Sequence, residues 1–348
     1  MSTANPALFN KRILVALSGG VDSSVAVKLL HDEGYEVAGV VMKMSDAHDG
    51  TVSAAQSAAD ALGIELFVLD LRDEFKKTVI DFFAEEYLNG RTPSPCVRCN
   101  PNIKFKYLLK TALDNGFDRI ATGHYAKVVD ENGVYKLLKS DNDARDQSYM
   151  LAGLGQDVLS RIVFPLWGMA KDDVRTIAKD LGLECASAPD SEENCFVPDN
   201  DYAGYIERNY RASERGNFIS PEGKPCGEHK GIIHYTVGQR KGLGIALGRP
   251  CYVTEIDADT NEIKLGYERA MTDRVLLSNI SETYPGAIKD EMSAKCKLRS
   301  TGKLLDCKVT LADGGCILTL DSPTPRVPAG QAGVLYDGNV VLGMGTIE

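Results

Sequence analysis

The stretch Ser18-Gly19-Gly20-Val21-Asp22-Ser23 has the composition of an anion site. It lies between an apolar run, Ile13 to Leu17, and an amphipathic run, Val25 to Leu30, which read as a buried strand and a helix. Backbone N–H groups at such a strand-to-helix turn point outward, and the helix N-terminus adds partial positive charge. Gly19 and Gly20 let a phosphate approach with no Cβ in the way, and Ser18 and Ser23 add hydroxyls. Asp22 is out of place in a phosphate nest unless a cation such as Mg²⁺ sits between carboxylate and phosphate. A plain turn with a serine cap is the competing reading. A second candidate is the stretch 91–100, where two prolines stiffen a loop carrying Cys96 and Cys99. Cys99 reads as lying just before a helix N-terminus, near Arg98, Lys104 and Lys106, a setting expected to lower its pKa and favour the thiolate. This C-x-x-C pair also fits a zinc half-site lacking its second pair, a redox pair in an unusual context, or two inert thiols. Cys195 follows the polar Ser191 to Asn194 and precedes an apolar anchor, Phe196. Gly238-Gln239-Arg240-Lys241-Gly242 reads as a basic turn able to meet phosphates.

These residues need elements to hold them. Glu36–Lys43, Glu65–Asp70 and Asp118–Thr122 read as further buried strands; Ala54–Leu62, Phe75–Tyr87 and Lys104–Leu113 read as helices, and 46–51 as a loop. Such β-α alternation implies an α/β fold, a doubly wound parallel sheet whose ligands bind beyond the C-terminal strand ends. The Ser18–Ser23 loop, Met42, Gly123 and His124 all fall there. Val128–Leu138 reads as a hairpin, and short helices are expected near 149–151 and 174–181. Past Arg211, glycines and β-branched residues dominate. The expected division is an α/β region at 1–211 that carries both candidate sites, a small β-rich domain at 212–270, and a C-terminal β-barrel at 271–348.

The 348 residues carry a net charge of −10, which weighs against nucleic-acid binding as a whole. The charge is uneven: seven Lys or Arg face two acids between 91 and 127, and five face one between 224 and 249. No apolar stretch approaches the ~20 residues of a membrane span. Met1 to Asn10 lacks a signal pattern, so a cytoplasmic location and no membrane partner are expected. The nine cysteines in such a chain suggest metal binding or chemistry for the clustered ones. Cys185, Cys226, Cys251, Cys296, Cys307 and Cys316 sit in apolar or strand contexts and read as packing residues.

The string Ser-Gly-Gly-x-Asp-Ser resembles the pyrophosphate loop of the ATP pyrophosphatases. Together with Thr92-Pro93-Ser94-Pro95, Cys99-Asn100, Ile103-Lys104-Phe105-Lys106, Gly123-His124-Tyr125-Ala126, Asp146-Gln147-Ser148-Tyr149, Cys195-Phe196, the 235–245 run and Pro328-Ala329-Gly330-Gln331, it resembles the tRNA-specific 2-thiouridylase family. The pieces span nearly the whole chain in family order. The resemblance implies an enzyme that adenylates the C2 oxygen of a wobble uridine with ATP and replaces it by sulfur, leaving AMP and pyrophosphate. It implies that ATP contacts Ala16, Leu17, Ser18, Gly19, Gly20, Val21, Asp22, Ser23, Met42 and Gly123, with Mg²⁺ near Asp22. Asp22, Cys99 and Cys195 are the implied catalytic residues; Cys195 carries sulfur as a persulfide, and Cys99 is its partner thiol. Ser94, Pro95 and Cys96 approach the target base, which must be flipped out. His124, Arg145, Asp146, Gln147, Arg299 and Gln331 contact tRNA, whose backbone gives the basic islands a partner. A sulfur-donor protein is also implied.

Two departures bear on this. Many members carry Asp where this chain has Cys96, so Cys96, Cys99 and Cys195 form an alternative set for a 4Fe-4S cluster. Members often have Arg-Tyr where this chain has Arg299-Ser300. Three rival readings stand beside the resemblance: another ATP-cleaving synthetase that adenylates a carboxylate, an RNA-binding barrel protein with an ATP sensor, and a zinc-stabilised nucleotide-binding protein.

Overall fold

The computed structural model describes residues 12–187, 195–197 and 199–348. Met1 to Asn10 and the polar run Ser191 to Asn194 lie outside the described residues. The strands β1 (Arg12–Ala16), β2 (Glu36–Lys43), β3 (Leu66–Asp70) and β4 (Arg119–Ala121) join Ile162–Val163 in a parallel sheet. The order places β1 between β2 and β4, so the chain winds outward to β3 and then returns to the other side of β1. The C-terminal end of β1 is therefore the switch point where such sheets open a crevice. Alternation along β1 feeds two cores. Leu14 joins Val40, Phe75, Phe83 and Phe105 on one face. Ile13 and Val15 join Val27, Leu30, Ala55 and Ala59 on the other. Helices α1 (Val21–Asp32) and α2 (Asp49–Leu62) supply that second face.

Two local readings change. The expected loop at 46–51 is a 3₁₀ turn, Asp46–His48, leading straight into α2. The helix expected from Lys104 begins earlier: Pro95–Cys99 continues through a π-helical turn, Asn100–Lys104, into Phe105–Asp114. Pro101 explains the misreading. A proline removes one hydrogen-bond donor and clashes with an α-helical turn, and the wider π turn accommodates it. Cys99 thus lies inside a helical run rather than at its N-terminus.

The hairpin at 127–138 forms as Lys127–Glu131 and Val134–Leu138, but it does not serve the parallel sheet. Leu138 pairs with Val340 of the last strand, Val340–Ile347, so the hairpin extends a C-terminal β-sheet. That sheet closes on itself: Met271–Glu282 pairs with Gly315–Pro325 on one side and with Val340–Ile347 on the other. Its interior holds Leu277, Cys296, Leu298, Val309, Leu318 and Leu335. Between the two lies a four-stranded sheet built from Gly216–Ile219, Pro225–His229, Tyr252–Asp257 and Glu262–Gly266 around Phe218, Val253 and Ile263.

Candidate active site

The Ser18–Ser23 loop caps β1 at the switch point. Gly19 has φ +74°, and a Cβ on it would stand 2.4 Å from the Ala54 carbonyl carbon, so only glycine lets the loop pack on α2. Gly123 plays the matching part from the other side. A Cβ there would come within 2.8 Å of the Ser23 nitrogen, so the loop after β4 rests directly on the start of α1. The hydroxyls of Ser18 and Ser23 lie 3.2 Å apart; Ser23 also donates to the Gly20 carbonyl, and Ser18 Oγ accepts from the Gly20 N–H. Leu17 is buried beneath, and Met42 is buried at the end of β2. The loop is a preformed cradle.

Asp22 is held by partners that are not evident from its neighbours in the chain. Lys171 Nζ donates to both carboxylate oxygens at 2.8 and 2.7 Å, and the Tyr125 hydroxyl donates to Oδ1 at 2.8 Å. The helix Lys171–Asp180 brings the ammonium there by packing Val174 and Ala178 against Val21 and Val25 of α1. Lys171, Val174 and Ala178 share one stripe of that helix, so burial of the stripe aims the lysine. An ammonium thus stands against the carboxylate near which Mg²⁺ is expected. The ion pair places one positive charge beside the cradle, on Lys171.

The sulfur candidates gather on the other face. Cys96 is exposed and Cys99 buried on the Pro95–Cys99 helix, and Cys195 is exposed on its own segment. Phe196 seats that segment, its ring edge-on to Phe75 at 5.8 Å and Phe83 at 5.1 Å. All three thiols lie within electrostatic reach of Lys104. The expectation of a lowered Cys99 pKa is overturned: burial pushes the thiol up to about 12, with Lys104 only partly opposing it. Desolvation also raises the Cys195 thiol, although the residue keeps open surface. Among the described residues, no three His, Cys, Asp or Glu side chains are grouped to hold a metal ion. Cys96, Cys99 and Cys195 as placed are not drawn together into such a group. His124 packs near Phe105 and Phe164, its Nδ1 2.8 Å from Thr122 Oγ1; desolvation, aided by Lys104, lowers its pKa to about 3, so the ring is neutral.

The residues expected to touch tRNA divide into two groups. Gln331, from the barrel, donates to the Thr92 carbonyl at 2.8 Å and accepts from Ser94 Oγ at 3.3 Å, so it clamps the Ser94–Pro95 loop. A cleft of about 380 Å³ opens beside it, lined by Ser94, Arg98, Asn102, Asn279, Gln331 and Glu348. Asp146 accepts from the Ser140 and Ser148 amides, and Gln147 Oε1 accepts from the Tyr125 amide. Their side chains shape the 140–147 loop itself. Arg145 stands on that loop, and Arg299 is exposed at a barrel edge beside Tyr149. The first basic island is not one continuous track: Arg91 pairs with Glu86 and Glu348, Arg98 lies over Phe82, and Lys110 pairs with Asp114. In the second, Arg240 and Lys241 are exposed on an irregular Gly-rich turn.

Comparison with known proteins accounts for this combination. The tRNA methyl transferase HUP domain matches residues 11–199, its PRC-barrel domain 205–267, and the aminomethyltransferase beta-barrel domain 272–347. A protein of Caldanaerobacter subterraneus, named tRNA-specific 2-thiouridylase MnmA 2, is 44% identical, covering 97% of this chain and 98% of its own. The MnmA proteins of Clostridium acetobutylicum and Acetivibrio thermocellus are 42% and 43% identical, covering 97% of this chain and 100% and 99% of theirs. The domain names speak of methyl transfer, whereas these full-length relatives are named for thiolation. Because the likeness runs over nearly the whole length of this chain and of these relatives, the chain belongs to the tRNA-specific 2-thiouridylase family.

Proposed function

We propose that the protein thiolates C2 of a tRNA wobble uridine at the expense of ATP. A uracil carbonyl is a poor electrophile. Attack of its O2 on the ATP α-phosphorus forms the O–P bond, breaks the bond to the β-phosphate, and makes AMP the later leaving group. The Ser18–Ser23 cradle and Lys171 would receive the departing pyrophosphate, whose charge grows as the bond breaks. A persulfide on Cys195, loaded by a sulfur-donor protein, then attacks C2 and expels AMP. Cys99, as thiolate, attacks the Cys195 sulfur. The S–S bond to the base breaks, the 2-thiouridine leaves with the electron pair, and a Cys99–Cys195 disulfide remains for an external thiol to reduce. Because Cys99 rests as a neutral thiol, its proton must leave before that step, and the Lys104 ammonium favours the loss. Gln331 would fix the Ser94–Cys96 loop against the flipped base.

The observation that carries this reading is the conjunction of a phosphate cradle at the sheet's switch point with thiols around Lys104. Pyrophosphate release tests it: unmodified tRNA should stimulate release, whereas small carboxylates should not. Carboxylate-dependent release would favour the rival synthetase instead. Iron and acid-labile sulfide on anaerobically prepared protein, with thiolation assayed on the same sample, separate the persulfide route from a cluster on Cys96, Cys99 and Cys195.

A further inference from the structure

Trp167 is the only tryptophan of the chain, and 37% of it is exposed. It follows the last strand of the parallel sheet, at the C-terminal edge where the phosphate cradle also lies, and precedes Lys171 by four residues. The Lys127 ammonium stands 3.9 Å from the indole centroid. Among the described residues no carboxylate pairs with Lys127, and its ammonium faces the ring. The Trp167 carbonyl accepts from Ser140 Oγ at 2.6 Å and from the Asp141 amide at 3.2 Å. Those bonds fasten the 140–147 loop, whose Asp146 and Gln147 side chains are spent on backbone amides. Nearby cations include Lys139, which pairs with exposed Asp143, and the half-buried Lys297 of the barrel.

An exposed aromatic ring beside an ammonium without an acid is the chemistry of a single-stranded RNA contact: the ring offers a stacking face and the lysine meets a phosphate. We propose that Trp167 and Lys127 form a binding site for an unpaired nucleotide of the tRNA, the base stacking on the indole and its phosphate on the lysine. This rests on the reading that tRNA is the substrate and adds a contact to it. Lys127 would exchange its cation–π contact for the phosphate as the base arrives.

The test uses the full chain and an unmodified tRNA transcript. Filter retention measures binding, and the emission of the sole tryptophan reports whether the indole is touched. Emission should be quenched over the same concentration range as retention, and a blunt RNA duplex of similar length should not quench it. W167A should weaken tRNA binding by roughly tenfold and W167F should restore most of it, the phenyl ring keeping the stack. K127Q should weaken binding and reduce the salt slope by about one phosphate contact. Retention with unchanged emission, or W167A binding as tightly as the parent, would overturn the proposal while leaving the substrate reading intact. Absence of any tRNA retention by the unmodified chain would overturn both.

Discussion

The two halves of the site are built differently. The phosphate half is finished before any ligand arrives. Its glycines are seated on α2 and α1, its hydroxyls are aligned, and Asp22 is clamped by Lys171 and Tyr125. The sulfur half is present but not armed: Cys99 is buried and protonated, and Cys195 projects from a separate segment held by one aromatic anchor. The difference suits the order of the chemistry. Activation of the base needs charge stabilisation that pays no reorganisation cost at the moment of reaction. A permanently ionised thiolate beside an activated uridine would instead react before sulfur was loaded.

Substitutions can break this comparison. Cys195→Ser should abolish thiolation, read as 2-thiouridine in digested tRNA, while tRNA-dependent pyrophosphate release stays within about twofold of the parent. Equal loss of both activities would show that the halves are one unit. Asp22→Ala should lower pyrophosphate release by roughly 10²- to 10³-fold, since it releases Lys171 from the cradle. Lys171→Met should cost somewhat less, with Lys171→Arg partly restoring the rate; an unaffected Lys171→Met would remove the lysine from the phosphate half. Phe196→Ala should destabilise the fold by about 3–5 kcal/mol in denaturant titration. At temperatures where it stays folded, it should depress thiolation more than pyrophosphate release. The smallest effect concerns pH. Alkylation of Cys99, followed by mass spectrometry, should keep rising toward pH 12 rather than levelling near 8.5 as a solvated thiol does. Lys104→Met should slow it further at every pH, because the cation opposes the upward shift.

Much of the phosphate half was legible in the sequence because its signals are local. The run Ile13 to Leu17, the paired glycines and the following helix are contiguous, and the alternating strands and helices fix where that loop lies. What completes it was not legible. Lys171 is separated from Asp22 by 149 positions, and nothing in its neighbourhood marks it as more than the first residue of an amphipathic helix. The sulfur half was legible in residue type but not in state. Basic neighbours suggested a thiolate at Cys99, and burial, which only the folded chain creates, outweighs them. Pro101 hid the continuity of the helix beneath, and the hairpin at 127–138 betrays no partner until the last strand is in place.

That last pairing has a consequence for biosynthesis. The hairpin emerges from the ribosome some 200 residues before the strand Val340–Ile347 that it joins. Thr92 likewise waits for Ala329, and Arg91 for Glu348. A nascent chain can wind its parallel sheet early, but the loop bearing Arg91 and Thr92 is braced only when the strand Val340–Ile347 has emerged. A chain cut before that strand would keep the phosphate cradle and lose the brace on the 91–94 loop.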